Sequence, residues 1–163
     1  MEESARKQRN ADRVLELWPA FRIIIEKIIV EMEARGFRPR IQDAHRSAEA
    51  QLEAFNKGNS KLKYGFHNVT GATGTKESLA VDMIDDDSPL ASRLTYLLNL
   101  AEVARANGVR TGILWGLPKE LSLATNAVIA NRDFESKVKV GWDPTHIEPI
   151  GITPQEALAG KRI

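Results

Sequence analysis

The sequence has no cysteine, only three histidines, and aromatic residues amounting to 6% of the chain. Without thiols there is no disulfide staple, no thiolate nucleophile and no Cys-rich zinc site. Any metal must therefore be held by imidazole nitrogens and carboxylate oxygens. Long apolar runs are missing too. The most hydrophobic stretch, 23–30, is broken by Glu26 and Lys27 and falls far short of the about 20 apolar residues that span a bilayer. No stable membrane insertion is expected. A formal net charge of +1 provides no concentrated basic face, which argues against nucleic acid as a partner. Residues 1–13 are polar, with no apolar segment behind them, so no signal peptide is read and synthesis in the cytoplasm is expected.

What is present suits one domain. The 163 residues, 42% of them hydrophobic, are enough to enclose a core. A single domain over 1–163 is expected, frayed over 1–10. Val14, Leu17, Trp18, Phe21, Ile25, Ile28 and Met32 recur at helical spacing, giving a helix over 11–35, kinked or restarted at Pro19. The stretch 40–45 reads as a strand, 48–56 as a helix capped by Ser47 and stopped by Gly58, and 57–77 as loop. Leu79, Val81 and Met83 alternate with Ala80 and Asp82, as in a strand. Ser88-Pro89 predicts a helix start, with Leu90, Leu94, Leu97, Leu98, Ala101 and Ala104 as its buried stripe. A short strand is expected near 109–115, a helix near 120–131, a final strand over 142–150 and a terminal helix after Thr153-Pro154. The fold class is α+β, with helices packed on a small, mostly antiparallel sheet.

Taken singly, the histidines carry little. A lone histidine is most often a surface or satisfied core residue, and an aspartate at a strand end is most often a turn residue, as Asp85, Asp86 and Asp87 look to be. The order of motifs says more. His45-Arg46-Ser47 with Gln51 is followed by Gly58-Asn59-Ser60, His67-Asn68, Leu79-Ala80-Val81-Asp82, Trp115-Gly116 and Asp143-Pro144-Thr145-His146-Ile147-Glu148. Over about 14–150 this resembles the zinc D-Ala-D-Ala carboxypeptidase / L-Ala-D-Glu endopeptidase family, which shares its fold with the Hedgehog signalling domain and includes many phage endolysins.

The resemblance implies a Hedgehog/DD-peptidase-like fold and a zinc ion held by His67, Asp82 and His146. It makes Asp143 the catalytic carboxylate and Arg46 the arginine that steadies the developing negative oxygen. Glu148 becomes the acidic residue beside the last ligand, placed to orient His146. Three protein ligands leave zinc one open position, where water is acidified to a pKa of about 7. Asp143 then serves as general base and acid. The implied substrate is the peptidoglycan stem peptide, cut between L-Ala and D-Glu by a monomeric endolysin that reaches the wall after release through holes made by another protein. Alternatives are D-Ala-D-Ala carboxypeptidase activity and a non-catalytic, zinc-stabilised binding domain.

Strand parity adds two expectations. Positions 143 and 146 fall on opposite faces of a flat strand, so Pro144 must bend the chain to bring Asp143 back over the metal, whereas His146 and Glu148 share a face. His45 and Arg46 likewise point apart, which leaves His45 structural. The chain also departs from the family pattern. Fourteen residues separate His67 from Asp82, more than is usual, and the extra stretch lies within 69–77. It reads as surface decoration rather than a lip over the cleft. Gly65 stands where the family usually has serine. Trp115 and Trp142 read first as core residues, with a place in the wall of the cleft as the alternative, and 117–138 as an insertion over one side of the cleft.

Overall fold

A computed structural model describes residues 1–61 and 64–163. The described residues form six α-helices and one four-stranded antiparallel sheet, the α+β class expected. None of the helices is long and apolar enough to cross a membrane.

The chain opens with α1 (Glu3–Val14) and α2 (Pro19–Ala34), separated by a turn in which Trp18 N donates to Ser78 O at 3.0 Å. Pro19 takes the first position of α2, where its missing N–H costs nothing. Phe21, Ile25, Ile28 and Met32 form the fully buried stripe of α2. The restart expected at Pro19 is where α2 begins; the expectation corrected here is that residues 1–10 fray, since α1 starts at Glu3. The anchoring of α1 is polar, so hydrophobic periodicity could not reveal it. Arg6, only 1% exposed, and Asn10 both donate to Pro39 O, at 2.6 and 2.9 Å. Asn10 Oδ1 in turn accepts from Ile41 N at 2.8 Å, and Arg9 Nε donates to Ile41 O at 2.8 Å. Side chains of α1 thus satisfy the free backbone of an edge strand that water or another strand would otherwise take.

That edge strand is β1 (Pro39–Asp43), followed in sequence by β2 (Val81–Asp85), β3 (Val109–Gly112) and β4 (Asp143–Pro149). The spatial order is β1-β2-β4-β3, every neighbour antiparallel. Ile41, Val81, Met83, Val109 and Ile147 bury one face against α2 and the mid-chain helix. Between β1 and β2 lies α3 (Ala48–Asn56), capped by Ser47 Oγ on Ala50 N at 3.1 Å and closed by Gly58 at φ +76°.

The mid-chain helix, α4, spans Leu94–Ala106 and is fastened to the sheet by Tyr96 Oη donating to Met83 O at 3.0 Å. It does not start at Ser88-Pro89, and Leu90 is fully exposed rather than part of its stripe. The competing interaction is local. Ser88 N donates to Asp85 O, Asp85 N to Ser92 Oγ, and the Arg93 guanidinium to the Asp85 carboxylate, so the chain turns through 86–92 before the helix begins. Helix α5 (Lys119–Ala130) lies against α4. A short α6 (Pro154–Leu158) carries a capping box between Thr153 and Glu156.

Candidate metal centre and its cleft

The pairing of β2 with β4 makes Asp82 and His146 direct cross-strand partners. Side chains of such pairs project from the same face, and here His146 Nδ1 lies 3.1 Å from Asp82 Oδ1. Two residues further along β4, on the same face, Glu148 Oε2 meets the other ring nitrogen, Nε2, at 3.0 Å. Glu148 is itself held by its cross-strand partner on β3, Arg110, whose Nε and Nη2 donate to Oε1 at 3.0 and 2.7 Å. Arg110, Glu148, His146 and Asp82 thus form one chain of hydrogen bonds across three strands.

His67 arrives from a 3-10 turn over Phe66–Asn68. Asn68 builds that turn. Its Oδ1 accepts from Gly65 N and its Nδ2 donates to Arg46 O, both at 2.8 Å, while Arg46 N donates to His67 O at 2.8 Å. The segment after β1 and the turn around His67 are thereby fixed together. His67 Nδ1 donates to Ala44 O at 2.6 Å, so Nε2 faces Asp82 Oδ1, 3.4 Å away. One ligand atom from each of His67, Asp82 and His146 lies within 4.8 Å of the others. These three could hold a metal ion, as expected from the sequence. The donors fit one: the second nitrogen of each ring is already committed, which fixes ring orientation and frees one nitrogen of each for a cation.

Asp143 reaches the same place through the backbone irregularity expected at Pro144. Thr111 pairs with Ile147, but the next residue, Gly112, pairs with Asp143, so three residues of β4 bulge out between them. Asp143 Oδ2 then lies 3.9 Å from His146 Nδ1. Gly112 is required at this crossing, because a Cβ there would stand 2.2 Å from Asp143 O.

The electrostatics follow from this crowding. Burial opposes ionisation of Asp82, but the two imidazoles outweigh it and hold its carboxyl well below the usual range. Burial and the charge of Asp82 push Asp143 up to about 6. Burial would push His146 down, yet its hydrogen bonds to Asp82 and Glu148 dominate and raise it to about 10. Burial also disfavours the Glu148 anion, but the hydrogen bonds from His146 and Arg110 prevail and lower its pKa.

Arg46 lines the same cleft. Its Nε donates to Asp43 Oδ2 and its Nη1 to Gln51 Oε1, each at 2.8 Å, and its Nη2 lies 3.3 Å from Asp82 Oδ2. His45 points elsewhere, with Nε2 3.0 Å from Thr70 Oγ1, in keeping with a structural role. The cleft measures about 100 Å³. Its far wall is aromatic: Trp115 packs against the His146 ring at 5.2 Å and against Trp142 at 5.4 Å, and Trp142 is 46% exposed. Both tryptophans belong to the cleft rather than to the core. One other expectation holds and one changes. Neither 69–77 nor 117–138 lines this cleft, which suits surface decoration for the first and removes the second from the cleft's side. The first folds on itself through Gly71 N to Thr75 O and is clamped from the C-terminal segment by Arg162 Nε on Glu77 at 2.9 Å. The second places α5 against α4.

Sequence reasoning missed Asp43, Asn68 and Arg110. Asp43 had a local signal, its i,i+3 spacing to Arg46. Arg110 had none, since its link to Glu148 exists only once β3 and β4 are paired. No family model matches the chain, and no curated protein matches it.

Proposed function

We propose that this protein is a zinc peptidase that hydrolyses peptidoglycan stem peptides, with the Hedgehog/DD-peptidase-like fold and the L-Ala-D-Glu endopeptidase activity of the family its motifs resemble. The observation that carries this reading is the convergence of His67, Asp82 and His146 beside a carboxylate, Asp143, whose pKa is raised to about 6. Two imidazoles and one carboxylate suit zinc best among common divalent ions and leave a coordination position for a reactant. Zinc bound there supplies Lewis acidity, polarising a carbonyl and acidifying water at neutral pH.

The rest of the work belongs to the chain. Asp143 takes a proton from the attacking water and returns it to the leaving amine, a role that suits a carboxylate lifted toward neutrality. Asp43 and Gln51 hold the Arg46 guanidinium at the cleft floor, with Nη2 over Asp82, where its charge steadies a developing oxyanion. Glu148 and Arg110 keep the His146 ring turned toward the site. Trp115 and Trp142, their rings tilted 45° to each other, give the peptide an aromatic wall.

Digestion of purified peptidoglycan, with the new termini read by mass spectrometry, tests the reading. New N-terminal D-Glu that disappears on chelation and returns with zinc is the expected result. Release of D-Ala assigns D-Ala-D-Ala carboxypeptidase activity instead. Stoichiometric zinc without any cleavage assigns a binding domain.

A further inference from the structure

The cleft is unevenly charged. Its carboxylates face cations or imidazoles: Asp82 lies against both imidazoles, Glu148 is paired with His146 and Arg110, and Asp143 stands 3.9 Å from His146 Nδ1. Arg46 is occupied by Asp43, Gln51 and Asp82. Lys61 is the exception. It lines the cleft, is exposed, and its ammonium forms no ion pair with any described residue. Instead it lies over the face of Trp142, 5.6 Å from the ring centroid. An exposed cation–π contact is worth only about 0.5–1 kcal/mol, so it holds the ammonium over the cleft wall without neutralising it.

The position is defined relative to the chemistry. From the His146 ring the wall runs to Trp115 at 5.2 Å, on to Trp142 at 5.4 Å, and out to Lys61 at 5.6 Å. An extended peptide advances about 3.4 Å per residue, so a chain lying along this wall brings groups within a few residues of the cleaved bond to Lys61. We infer that Lys61 binds a free carboxylate of the substrate and makes the site selective for an acidic residue within a few residues of the cleaved bond. The inference rests on the peptidase reading above. On a stem peptide the nearest such group is the α-carboxylate of D-glutamate, which is left free because the chain continues through the γ-carboxyl.

The test uses three short stem peptides and the zinc-loaded protein. One peptide carries D-glutamate, one carries its α-amide, and one keeps the glutamate but is amidated at its C-terminus. Wild type is expected to favour the acid over the α-amide by about fivefold in KM, the upper end for an exposed ion pair, with kcat alike. Lys61→Gln should lose that preference and Lys61→Arg restore it, and C-terminal amidation should change nothing. A preference that instead follows C-terminal amidation and vanishes in Lys61→Gln keeps Lys61 as the carboxylate receptor but assigns the other carboxylate. Equal use of all three peptides by wild type overturns the inference, as does an equal loss on acid and amide in Lys61→Gln. If no peptide is cut, the peptidase reading fails separately. Calorimetric binding of the same peptides then decides: acid bound more tightly than amide by wild type but not by Lys61→Gln supports Lys61 as the receptor, and equal or absent binding overturns it.

Discussion

Glu148 Oε2 and His146 Nε2 are 3.0 Å apart, which leaves Nδ1 as the ring nitrogen that faces Asp82 and the cleft. The choice of nitrogen is made by a neighbour two residues along the same strand, and that neighbour is fixed by Arg110 on the next one. Replacing an outer partner of a metal-binding histidine commonly costs 10–100-fold in metal affinity. Glu148→Gln, which keeps the shape but not the charge, should weaken zinc binding by about tenfold. Arg110→Ala, at a half-exposed position, should have a smaller effect. Competition against a chromogenic chelator measures both.

Proton and cation compete for the same atom. The His146 imidazole is raised to about 10 in the metal-free protein, so a cation taking Nδ1 must displace a proton at neutral pH. Zinc affinity should therefore climb with pH up to about 10, and calorimetry in buffers of different ionisation enthalpy should show proton release on binding. The stability consequence has a definite sign. The folded pKa lies above the ordinary value of 6.5, so the protonated ring stabilises the metal-free fold fully below that value, and this contribution fades as pH rises toward 10. Thermal melts of the metal-free protein should fall over that window, and zinc-loaded protein should not share the decline.

Asp143 is needed as an anion when it acts as base. Burial and Asp82 set its pKa at about 6 without metal, and a nearby cation draws it lower. The acid limb of kcat/KM should therefore lie at or below about pH 6, with activity lost as pH falls through it. Asp143→Asn should reduce cleavage by about 100-fold or more while zinc remains bound, as read by parallel metal analysis and hydrolysis assays.

Gly112 has no room for a side chain: an added Cβ meets Asp143 O at 2.2 Å and the Trp115 ring at 2.8 Å. Gly112→Ala should shift the bulge that carries Asp143, lowering kcat more than zinc affinity. Loss of zinc with kcat per bound metal unchanged would contradict this placement.

Arg6 offers a test remote from the cleft. It is almost wholly buried and donates to Pro39 O and to Glu33. Arg6→Met keeps much of the apolar stem but abandons those acceptors, and should destabilise the fold by about 2 kcal/mol, seen as a lower denaturant midpoint, with zinc stoichiometry intact.

The sequence was most readable where local rules decide. Ser47 and Thr153 announce their helices through caps, and Val81 and Met83 alternate with Asp82 and so declare the buried face of β2. The bend at Pro144 followed from strand parity once the family resemblance put Asp143 and His146 in one site, and it corresponds to the bulge before Ile147. What stayed hidden depends on partners far along the chain. α1 carries polar residues where it meets the sheet, so no apolar stripe marks it. Pro89 carries a helix-start signature that the Asp85–Arg93 interaction overrides. Trp115 and Trp142 could be read as core or as cleft until the strand ends placed them beside His146.

The most direct test is zinc content per chain, measured by mass spectrometry of the element after mild purification, for wild type and for His67→Ala, Asp82→Ala and His146→Ala. About one zinc per wild-type chain, reduced to near zero in each folded variant, is the result expected of three ligands around one cation. A wild-type protein that stays metal-free in zinc-containing buffer, or variants that retain full zinc, would contradict the shared site.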